Sequence, residues 1–423
     1  MKSLEIKGRT FWSEGSPKFL LADTCWSAFT NITINDWEYY LQQRKMQGFN
    51  VIQVNMLWQW DSSGTDLNML PFTKKSDGSF DFSQRNTAYF ERAEQMVAIA
   101  EKYDIRLALV LLWCNYLPNT WATKLRKTSI FPKDLVEEYV SFVVNKFDKY
   151  NPIYIISGDT DFPDEETIDY YELALNQVKK LAPAAIATLH IRGREMDLPQ
   201  RLQENQGLDF YMFQSGHNSS HQDMSYLLAE NFYGKTPVKP AINSEPCYEQ
   251  MGYSRRVYGR FSQFDVRKAA WQSIVAGAAT GVTYGAHGIW SWHDDSKKFD
   301  TTVGEAFETP CDWRDALLFQ GAWDYSYLKT VIENYQLFDL APRNDLLINQ
   351  TSEIRVAEND NYLVVSVPVN IDVKLKANYP NRKIIMHDLG RQQVRLHTMK
   401  ISDEVTIIPM HRAIQDVLYI IEK

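Results

Sequence analysis

The sequence predicts a (β/α)8 barrel, the TIM-barrel fold class, followed by a small antiparallel all-β sandwich domain. Short apolar runs alternate with helical patterns eight times along the first part of the chain. All 12 tryptophans lie between Trp12 and Trp323, and none follows. Beyond about Pro342 the sequence consists of short runs in which apolar and polar residues alternate. We therefore expect the barrel over residues 1–340 and the sandwich over residues 343–423.

The eight predicted barrel strands are short runs of apolar residues separated by helical segments. One predicted helix has Trp37, Tyr40 and Leu41 at helical spacing and ends at Gly48. The fifth and sixth units have the shortest predicted helices. The predicted strands are Phe19–Ala22, Val51–Asn55, Arg106–Leu112, Ile153–Ile156, Ile186–Leu189, Asp209–Phe213, Pro240–Asn243 and Gly281–Tyr284.

The C-terminal segment has the period-two pattern of antiparallel strands. Its clearest runs are Tyr362–Val367, Val373–Lys376, Lys383–Met386 and Val405–Ile408. Asn, Asp, Pro and Gly separate these runs, as they do in small all-β domains.

Composition and charge exclude several classes of function. The chain has 423 residues, with 45 Lys and Arg against 53 Asp and Glu, for a net charge of −8. This balance argues against a nucleic-acid partner. Apolar runs such as Leu107–Trp113 are too short to span a membrane. The N-terminus lacks the apolar segment of a secretory signal, so we expect a cytoplasmic protein with four reduced cysteines.

Candidate site residues follow the predicted strands, because a TIM barrel carries its active site at the C-terminal ends of its strands. Carboxylates follow the fourth and seventh strands, and aromatic residues, amides and histidines follow the others. The candidates are Asp23, Trp26, Asn55, Trp58, Trp60, Trp113, Asn115, Asp159, His190, Gln214, Glu245, Tyr248, Glu249, Tyr284, His287, Trp290 and Trp292.

This set of residue types predicts a sugar site. Six of the 12 tryptophans lie at or just beyond strand ends. Indole faces suit the apolar C–H faces of sugar rings, and the indole N–H binds hydroxyls. Glycoside cleavage needs two carboxyl groups flanking one bond. Asp159 and Glu245, at opposite strand ends of one rim, are the predicted pair.

The tryptophans and the carboxylates Asp23, Asp159 and Glu245 also have a structural interpretation. The tryptophans would then cap the barrel core. Asp159 would cap the following helix, although Asp161 or Asp164 is better placed for that role. Glu245 would form a salt bridge with an arginine. Asp23 would either bind sugar hydroxyls or orient another side chain.

Metal and cofactor sites are not expected. His217 and His221 are four residues apart, but the intervening Asn-Ser-Ser is typical of a loop. The sequence contains no GxGxxG, Walker A or GxSxG motif. Three classes remain open: a glycosidase, a sugar-binding barrel without catalysis, and a metal-dependent barrel hydrolase acting on amides or phosphates. The oligomeric state is not predicted.

Five segments taken together resemble the apiosidase-like glycoside hydrolases, a barrel family with a small C-terminal β-sandwich. One of them contains Asp23-Thr24-Cys25-Trp26, which is similar to the family's GDTAW motif. Ser157 stands where the family has Gly. The segments are Phe19–Trp26, Lys45–Gln53, Ser157–Asp159, Asn243–Glu249 and Thr283–Trp290.

The resemblance implies that Asp159 is the acid/base and Glu245 the nucleophile, as in the clan of retaining barrel glycosidases. That clan usually has Glu after Asn at the acid/base position, whereas here Asp159 follows Gly158. It also implies hydrolysis of O-glycosidic bonds in plant- or microbe-derived oligosaccharides. Release of apiose from pectin side chains is a characterised activity of the family. Retention requires Asp159 to be protonated at rest, through aromatic burial and the charge of Glu245.

Overall fold

Eight parallel strands form the nearly closed barrel that the sequence predicts. The computed structural model describes residues 1–125, 129–299, 307–376, 379, 382–402, 404–413 and 415–423. The strands lie in the order 5-4-3-2-1-8-7-6, with the first paired to the eighth. They are Leu20–Thr24, Val51–Asn55, Arg106–Trp113, Ile153–Gly158, Ile186–Thr188, Tyr211–Phe213, Ala241–Asn243 and Gly281–Tyr284.

The barrel is least regular between its fifth and sixth strands, which are three residues each. These strands form no continuous ladder, but the amide of Asp209 donates to the carbonyl of Ala187 at 2.9 Å. The Thr188 hydroxyl donates to the Phe210 carbonyl at 2.7 Å. The fifth unit has the short helix that the sequence predicts, Gln200–Gln203.

Helices surround the barrel, and four of the longer ones begin directly after a residue whose side chain caps them. Asp164 caps the helix that follows the fourth strand by accepting a hydrogen bond from the amide of Thr167 at 2.9 Å. Asp159 is therefore not the cap of that helix. The α-helices are Ala28–Asn31, Ile34–Met46, Thr87–Lys102, Trp121–Leu125, Val136–Phe147, Glu165–Leu181, Gln200–Gln203, Met224–Tyr233, Gln263–Val275, Trp313–Ala316 and Gly321–Tyr335.

Two small antiparallel sheets are added to the barrel. A hairpin of Phe72–Lys74 and Phe80–Arg85 lies between the second and third barrel strands. A meander of Glu5–Lys7, Thr10–Ser13 and Ser16–Lys18 covers the N-terminal end of the barrel. Within this meander, the fully buried ring of Phe11 packs edge-on against Phe210 with ring centroids 5.1 Å apart.

The C-terminal segment forms two antiparallel sheets. Alternate residues of the larger sheet face a separate apolar core or the barrel, which explains the period-two pattern. The larger sheet is ordered Ala341–Pro342, Arg355–Glu358, Tyr362–Val367, Val417–Glu422, Ile384–Asp388 and Gln393–His397. The smaller is ordered Val373–Leu375, Val405–Ile408 and Lys400–Ser402.

A buried ion network joins the barrel to the C-terminal sheet. Arg267, on a barrel helix, contacts Asp324 at 2.7 Å and Asp416, just before the last strand, at 2.6 Å. All three side chains are almost fully buried. Asp324 is on a barrel helix as well, so it is the charge of Asp416 that is compensated only when the two parts are packed together. Within the described ranges, no helix is long and apolar enough to cross a bilayer.

Candidate active site

A cavity of about 670 Å³ lies at the C-terminal ends of the barrel strands. Asp159, after the fourth strand, and Glu245, after the seventh, both line it. Its volume falls within the range of about 300–1,000 Å³ usual for small-molecule sites. The position is the one where TIM barrels carry their active sites.

The backbone of Asp159 is held in an uncommon conformation. Its φ is +49°, in the left-handed region that Asp tolerates better than most residues. Two contacts hold it there: Trp121 donates its indole N–H to the Asp159 carbonyl at 2.6 Å, and the Asp159 amide donates to Nδ1 of His190 at 3.1 Å. The preceding Gly158 packs directly against Trp113.

The carboxyl group of Asp159 favours its protonated form. Burial is the main cause that raises its pKa well above the usual value, and the negative charges of Glu245 and Asp61 raise it further. Arg192 opposes this shift but does not cancel it. A carboxyl group that stays protonated near neutral pH can donate a proton to a leaving group.

The carboxylate of Glu245 favours its ionised form. Burial alone would raise its pKa, but contacts with two histidines outweigh burial and lower the pKa to about 2. Nε2 of His217 lies 2.8 Å from Oε1, and Nε2 of His190 lies 3.2 Å from Oε2. The two carboxyl groups of the cavity therefore have pKa values shifted in opposite directions, which is the pattern of an acid and a nucleophile or base.

Backbone amides set the tautomer of both histidines. Nδ1 of His190 accepts from the Asp159 amide, and Nδ1 of His217 accepts from the Tyr248 amide at 3.3 Å. Because Nδ1 is the acceptor in each ring, the ring proton is on Nε2, and His217 donates it to Oε1 of Glu245. Both imidazoles thus orient and stabilise the same carboxylate.

Aromatic side chains wall the cavity. Trp26 and Trp113 pack edge to face with ring centroids 5.0 Å apart, and Trp121, Tyr248, Trp290 and Phe307 complete the wall. The indole N–H of Trp113 and the amide oxygen Oε1 of Gln214 are buried without a hydrogen-bond partner in the described part of the chain. Buried polar atoms normally have partners, so these two are available to ligand hydroxyls.

The structure brings seven of the predicted residues into this cavity: Trp26, Trp113, Asp159, Gln214, Glu245, Tyr248 and Trp290. His190 contacts Glu245 and the Asp159 backbone from behind the wall. Trp58 lies in a neighbouring cavity. The remaining predicted residues lie away from both cavities; they are Asp23, Asn55, Trp60, Asn115, Glu249, Tyr284, His287 and Trp292.

The expected sugar contact of Asp23 is corrected by the structure. Its fully buried carboxylate contacts Nε of Arg44 at 2.6 Å and accepts from the Tyr40 hydroxyl at 2.6 Å. The side chain points toward the helix Ile34–Met46 because both partners are on that helix. Asp23 therefore has the orienting role that was the alternative interpretation.

Glu249 and Tyr284 form a second structural pair instead of a substrate site. The Tyr284 hydroxyl donates to Oε2 of Glu249 at 2.6 Å, and the amide of Gly321 donates to the same oxygen at 2.9 Å. These bonds tie the eighth strand to the start of the last barrel helix. Both side chains are buried among these elements.

Two predicted tryptophans pack against other indoles instead of the cavity. Trp292 stacks on Trp313 with centroids 4.4 Å apart, and Trp60 packs edge-on against Trp121 at 5.6 Å. Trp60 therefore supports a residue that does line the cavity.

Two of the last three predicted residues support residues that line the cavity. His287 accepts the indole N–H of Trp290 at 3.1 Å and so holds a wall residue. The amide group of Asn55 donates to the side chain of Gln59, which lines the cavity. Asn115 is buried in the turn after the third strand.

Several cavity residues were not predicted as site residues. Gln59 and Asp61 follow the second strand, Trp121 lies deeper in the third loop, and Arg192 and Arg194 follow the fifth strand. Their loops extend past the strand ends that the prediction used. His217 was considered only as a metal ligand, although its place after the sixth strand is a usable signal. Within the described residues, no group of three or more His, Cys, Asp or Glu side chains is arranged to hold a metal ion.

A parallel barrel with two oppositely tuned carboxyl groups in an aromatic cavity at its C-terminal end defines a barrel glycosidase. The family model described as "Apiosidase-like, catalytic domain" matches residues 6–339. The chain therefore belongs to the apiosidase-like family, as the resemblance of its motifs predicted. No curated protein sequence matches the chain.

Comparison with solved structures confirms the fold. A structure described as a glycoside hydrolase has a TM-score of 0.80 and 21% identity, covering 100% of this chain and 97% of its own. A glycoside hydrolase family 5 protein from Bacteroides vulgatus has a TM-score of 0.84 and 21% identity, covering 100% and 93%. A family 5 mannosidase from Rhizomucor miehei has a TM-score of 0.54 and 12% identity, covering 79% and 99%.

Proposed function

We propose that this protein is a retaining glycoside hydrolase that cleaves O-glycosidic bonds of plant- or microbe-derived oligosaccharides. Asp159 is its acid/base and Glu245 its nucleophile. The observation that carries the proposal is the opposite direction of the two pKa shifts within one cavity. The structural alternative for Glu245 was a salt bridge with an arginine, but among the described residues its charged partners are His190 and His217.

In the first step, ionised Glu245 attacks the anomeric carbon while Asp159 donates its proton to the glycosidic oxygen. The bond between the anomeric carbon and that oxygen breaks, and the leaving group departs as an alcohol. A glycosyl ester with Glu245 remains. As the glutamate loses its charge, the negative potential that kept Asp159 protonated also falls, which favours its new role as a base.

In the second step, Asp159 removes a proton from a water molecule, and the resulting hydroxide attacks the anomeric carbon. The ester bond to Glu245 breaks, and the glutamate leaves as a carboxylate stabilised by His190 and His217. The sugar is released with its original anomeric configuration, because two inversions have taken place. Asp159 ends protonated, ready for another cycle.

The position of His190 brings the backbone of Asp159 and the carboxylate of Glu245 to one imidazole ring. A single imidazole ring contacts both the Glu245 carboxylate and the backbone amide of Asp159. The two catalytic residues are thus attached to opposite edges of one small ring. Retaining enzymes hold their carboxyl groups about 5–5.5 Å apart, whereas inverting enzymes need about 6.5–9.5 Å to admit water.

The test uses the variants Asp159→Asn and Glu245→Gln on a panel of aryl glycosides and oligosaccharides. Each variant should lose most turnover, and Asp159→Asn should retain more activity on aryl glycosides with good leaving groups, which need less protonation. NMR of the first product anomer reports retention. Near-normal hydrolysis by both folded variants would refute the assignment, and an inverted first product would refute the nucleophilic role of Glu245.

The same panel separates hydrolysis from sugar binding alone. If the wild-type protein binds oligosaccharides but releases no product from any of them, the protein is a sugar-binding barrel and the proposed activity is wrong. Calorimetry on the wild-type protein gives the binding result independently of turnover.

A further inference from the structure

Trp121 differs in its exposure from the other indoles that line the active-site cavity. Trp26, Trp113 and Trp290 are 3%, 6% and 3% exposed. Trp121 lines the same cavity, but it is only partly buried. Trp121 therefore has more surface open to a ligand than any of these three tryptophans.

Trp121 is attached to the loop that carries the proposed acid/base. Its indole N–H donates to the carbonyl of Asp159 at 2.6 Å, and its backbone amide donates to Oδ1 of Asp161 at 3.1 Å. One bond holds the backbone of Trp121, and the other holds the edge of its ring. The indole thus lies beside Asp159, on the side of the cavity that the fourth strand forms.

A second indole supports the ring of Trp121. Trp60 is buried and packs against Trp121 edge to face, with ring centroids 5.6 Å apart. Because contacts to Trp60 and Asp159 already fix the rotamer of Trp121, the side chain loses little conformational entropy when a ligand packs on it. Trp121 is therefore a pre-formed aromatic surface at the edge of a binding cavity.

The roles of the two carboxyl groups give the cavity a direction. In the proposed reaction Glu245 bonds to the anomeric carbon of one sugar unit, the glycone, and Asp159 protonates the oxygen of the leaving group. The glycone therefore lies beside Glu245, near the two histidines that contact this carboxylate. The leaving group extends from the protonated oxygen past Asp159, where the indole of Trp121 lies.

We propose that Trp121 is the platform of a leaving-group subsite, and that the leaving group is a sugar ring whose C–H face packs on the indole. A flat apolar surface suits such a face. Methanol, or the hydroxyl of a serine or threonine side chain, has no ring to cover the indole. The protein thus prefers a bond between two sugar units. The inference rests on the proposed function, because the direction of the cavity follows from the roles of Asp159 and Glu245.

Three substrates with the same glycone separate the platform from the acid. The glycone is the one that the panel of aryl glycosides identifies. Its glycosyl fluoride has no leaving-group ring and needs little protonation, its methyl glycoside needs the proton but has no ring, and its disaccharide has both requirements. The measurement is kcat/KM, which reports transition-state stabilisation relative to free protein and substrate. The wild-type protein should hydrolyse at least one disaccharide with a higher kcat/KM than the methyl glycoside.

Trp121→Leu should lower kcat/KM for the disaccharide about tenfold more than for the methyl glycoside, because the apolar contact with the second sugar is lost. Both substrates share a further loss, since the hydrogen bond to the Asp159 carbonyl is also removed. The glycosyl fluoride should change least. Trp121→Phe loses the same N–H but keeps an aromatic face, so it should keep most of the preference for the disaccharide. Trp323→Leu, at an exposed indole on the last barrel helix, is the control and should leave all three substrates unchanged.

The outcomes distinguish the platform from the proposed hydrolysis. Equal losses on the disaccharide and the methyl glycoside, in a Trp121→Leu protein that still hydrolyses the fluoride, would overturn the platform and keep the activity. A wild-type protein that hydrolyses the methyl glycoside as well as every disaccharide would do the same, and this comparison needs no variant to fold. A wild-type protein that hydrolyses no fluoride, aryl glycoside or oligosaccharide would refute the proposed function and the platform together.

Discussion

Gly158 and Trp113 are in such close contact that no β-carbon fits between them: one built on Gly158 would lie 2.2 Å from Cε3 of the indole. Gly158 ends the fourth strand and precedes Asp159, while Trp113 is a wall residue of the active site. Only glycine allows the backbone to pass this close to the indole. The contact thus sets the position of the proposed acid/base relative to the wall.

We predict that Gly158→Ala lowers kcat by more than tenfold and costs about 1–3 kcal/mol of stability, the usual range for overpacking. The indole or the backbone of Asp159 must move to admit the methyl group. Steady-state kinetics and urea unfolding check the two effects. Gly234→Ala is the control, because its nearest neighbours would be at 3.5 Å or more. Unchanged kcat in a folded Gly158→Ala protein would contradict the positioning role.

Asp61→Asn should move the falling, alkaline limb of the kcat/KM profile to lower pH. That limb reports the acid that must be protonated, and the negative charge of Asp61 helps to raise the pKa of Asp159. Removing the charge lowers this pKa, so Asp159 loses its proton at lower pH. Asparagine keeps an oxygen that can accept from Gln59. Asp197→Asn, at an exposed carboxylate paired with Lys235, should leave the profile unchanged.

His217→Ala should move the rising, acidic limb of the same profile to higher pH. The histidine contacts hold the pKa of Glu245 at about 2 against the effect of burial, so removing one raises it. The proposed nucleophile is then protonated over a wider acidic range, and kcat also falls because the leaving carboxylate is less stabilised. His217→Gln, which restores an N–H donor, should recover part of both. An unmoved acidic limb would show that His217 does not act through Glu245.

Arg267→Met should destabilise the protein by about 3–5 kcal/mol, since it leaves Asp324 and Asp416 buried without their cation. Chemical unfolding followed by tryptophan fluorescence reports the barrel, because all 12 tryptophans precede the C-terminal sheets. Far-UV circular dichroism reports both parts. Arg201→Met, at an exposed arginine, should have little effect. A loss confined to the C-terminal sheets would show that the network does not couple the two parts.

The barrel was predictable because each strand has a local signature. All eight observed strands overlap the predicted ones. The predicted and observed strands differ at their ends, because backbone hydrogen bonds to the neighbouring strand decide where a strand ends, and the apolar pattern does not show them. Arg106–Trp113, for example, continues one residue beyond its predicted end. The C-terminal strands were predictable for a similar reason. One face of each strand packs on the apolar core of that segment, so apolar and polar residues alternate along the strand.

The site was predictable in part, since strand ends locate candidates but do not give side-chain directions. Asp23 follows a strand as Asp159 does, yet Arg44 and Tyr40 draw it toward a helix. Tyr40 is 17 residues and Arg44 is 21 residues away in the sequence, and no local pattern indicates the pairing. Likewise Trp292 is close in the sequence to the cavity residue Trp290, but its indole stacks on Trp313. Long loops supplied the residues that the prediction missed.

The meander covers the N-terminal end of the barrel, where Phe11 packs against Phe210. Among the described residues, the cavity lined by Asp159 and Glu245 lies at the catalytic end, so in the proposed reaction the departing alcohol and the incoming water use the same entrance. In a retaining reaction the first product must clear this entrance before the glycosyl ester can be hydrolysed. Acceptor alcohols retained there would compete with water, which makes transglycosylation at high substrate concentration a natural side reaction of this architecture.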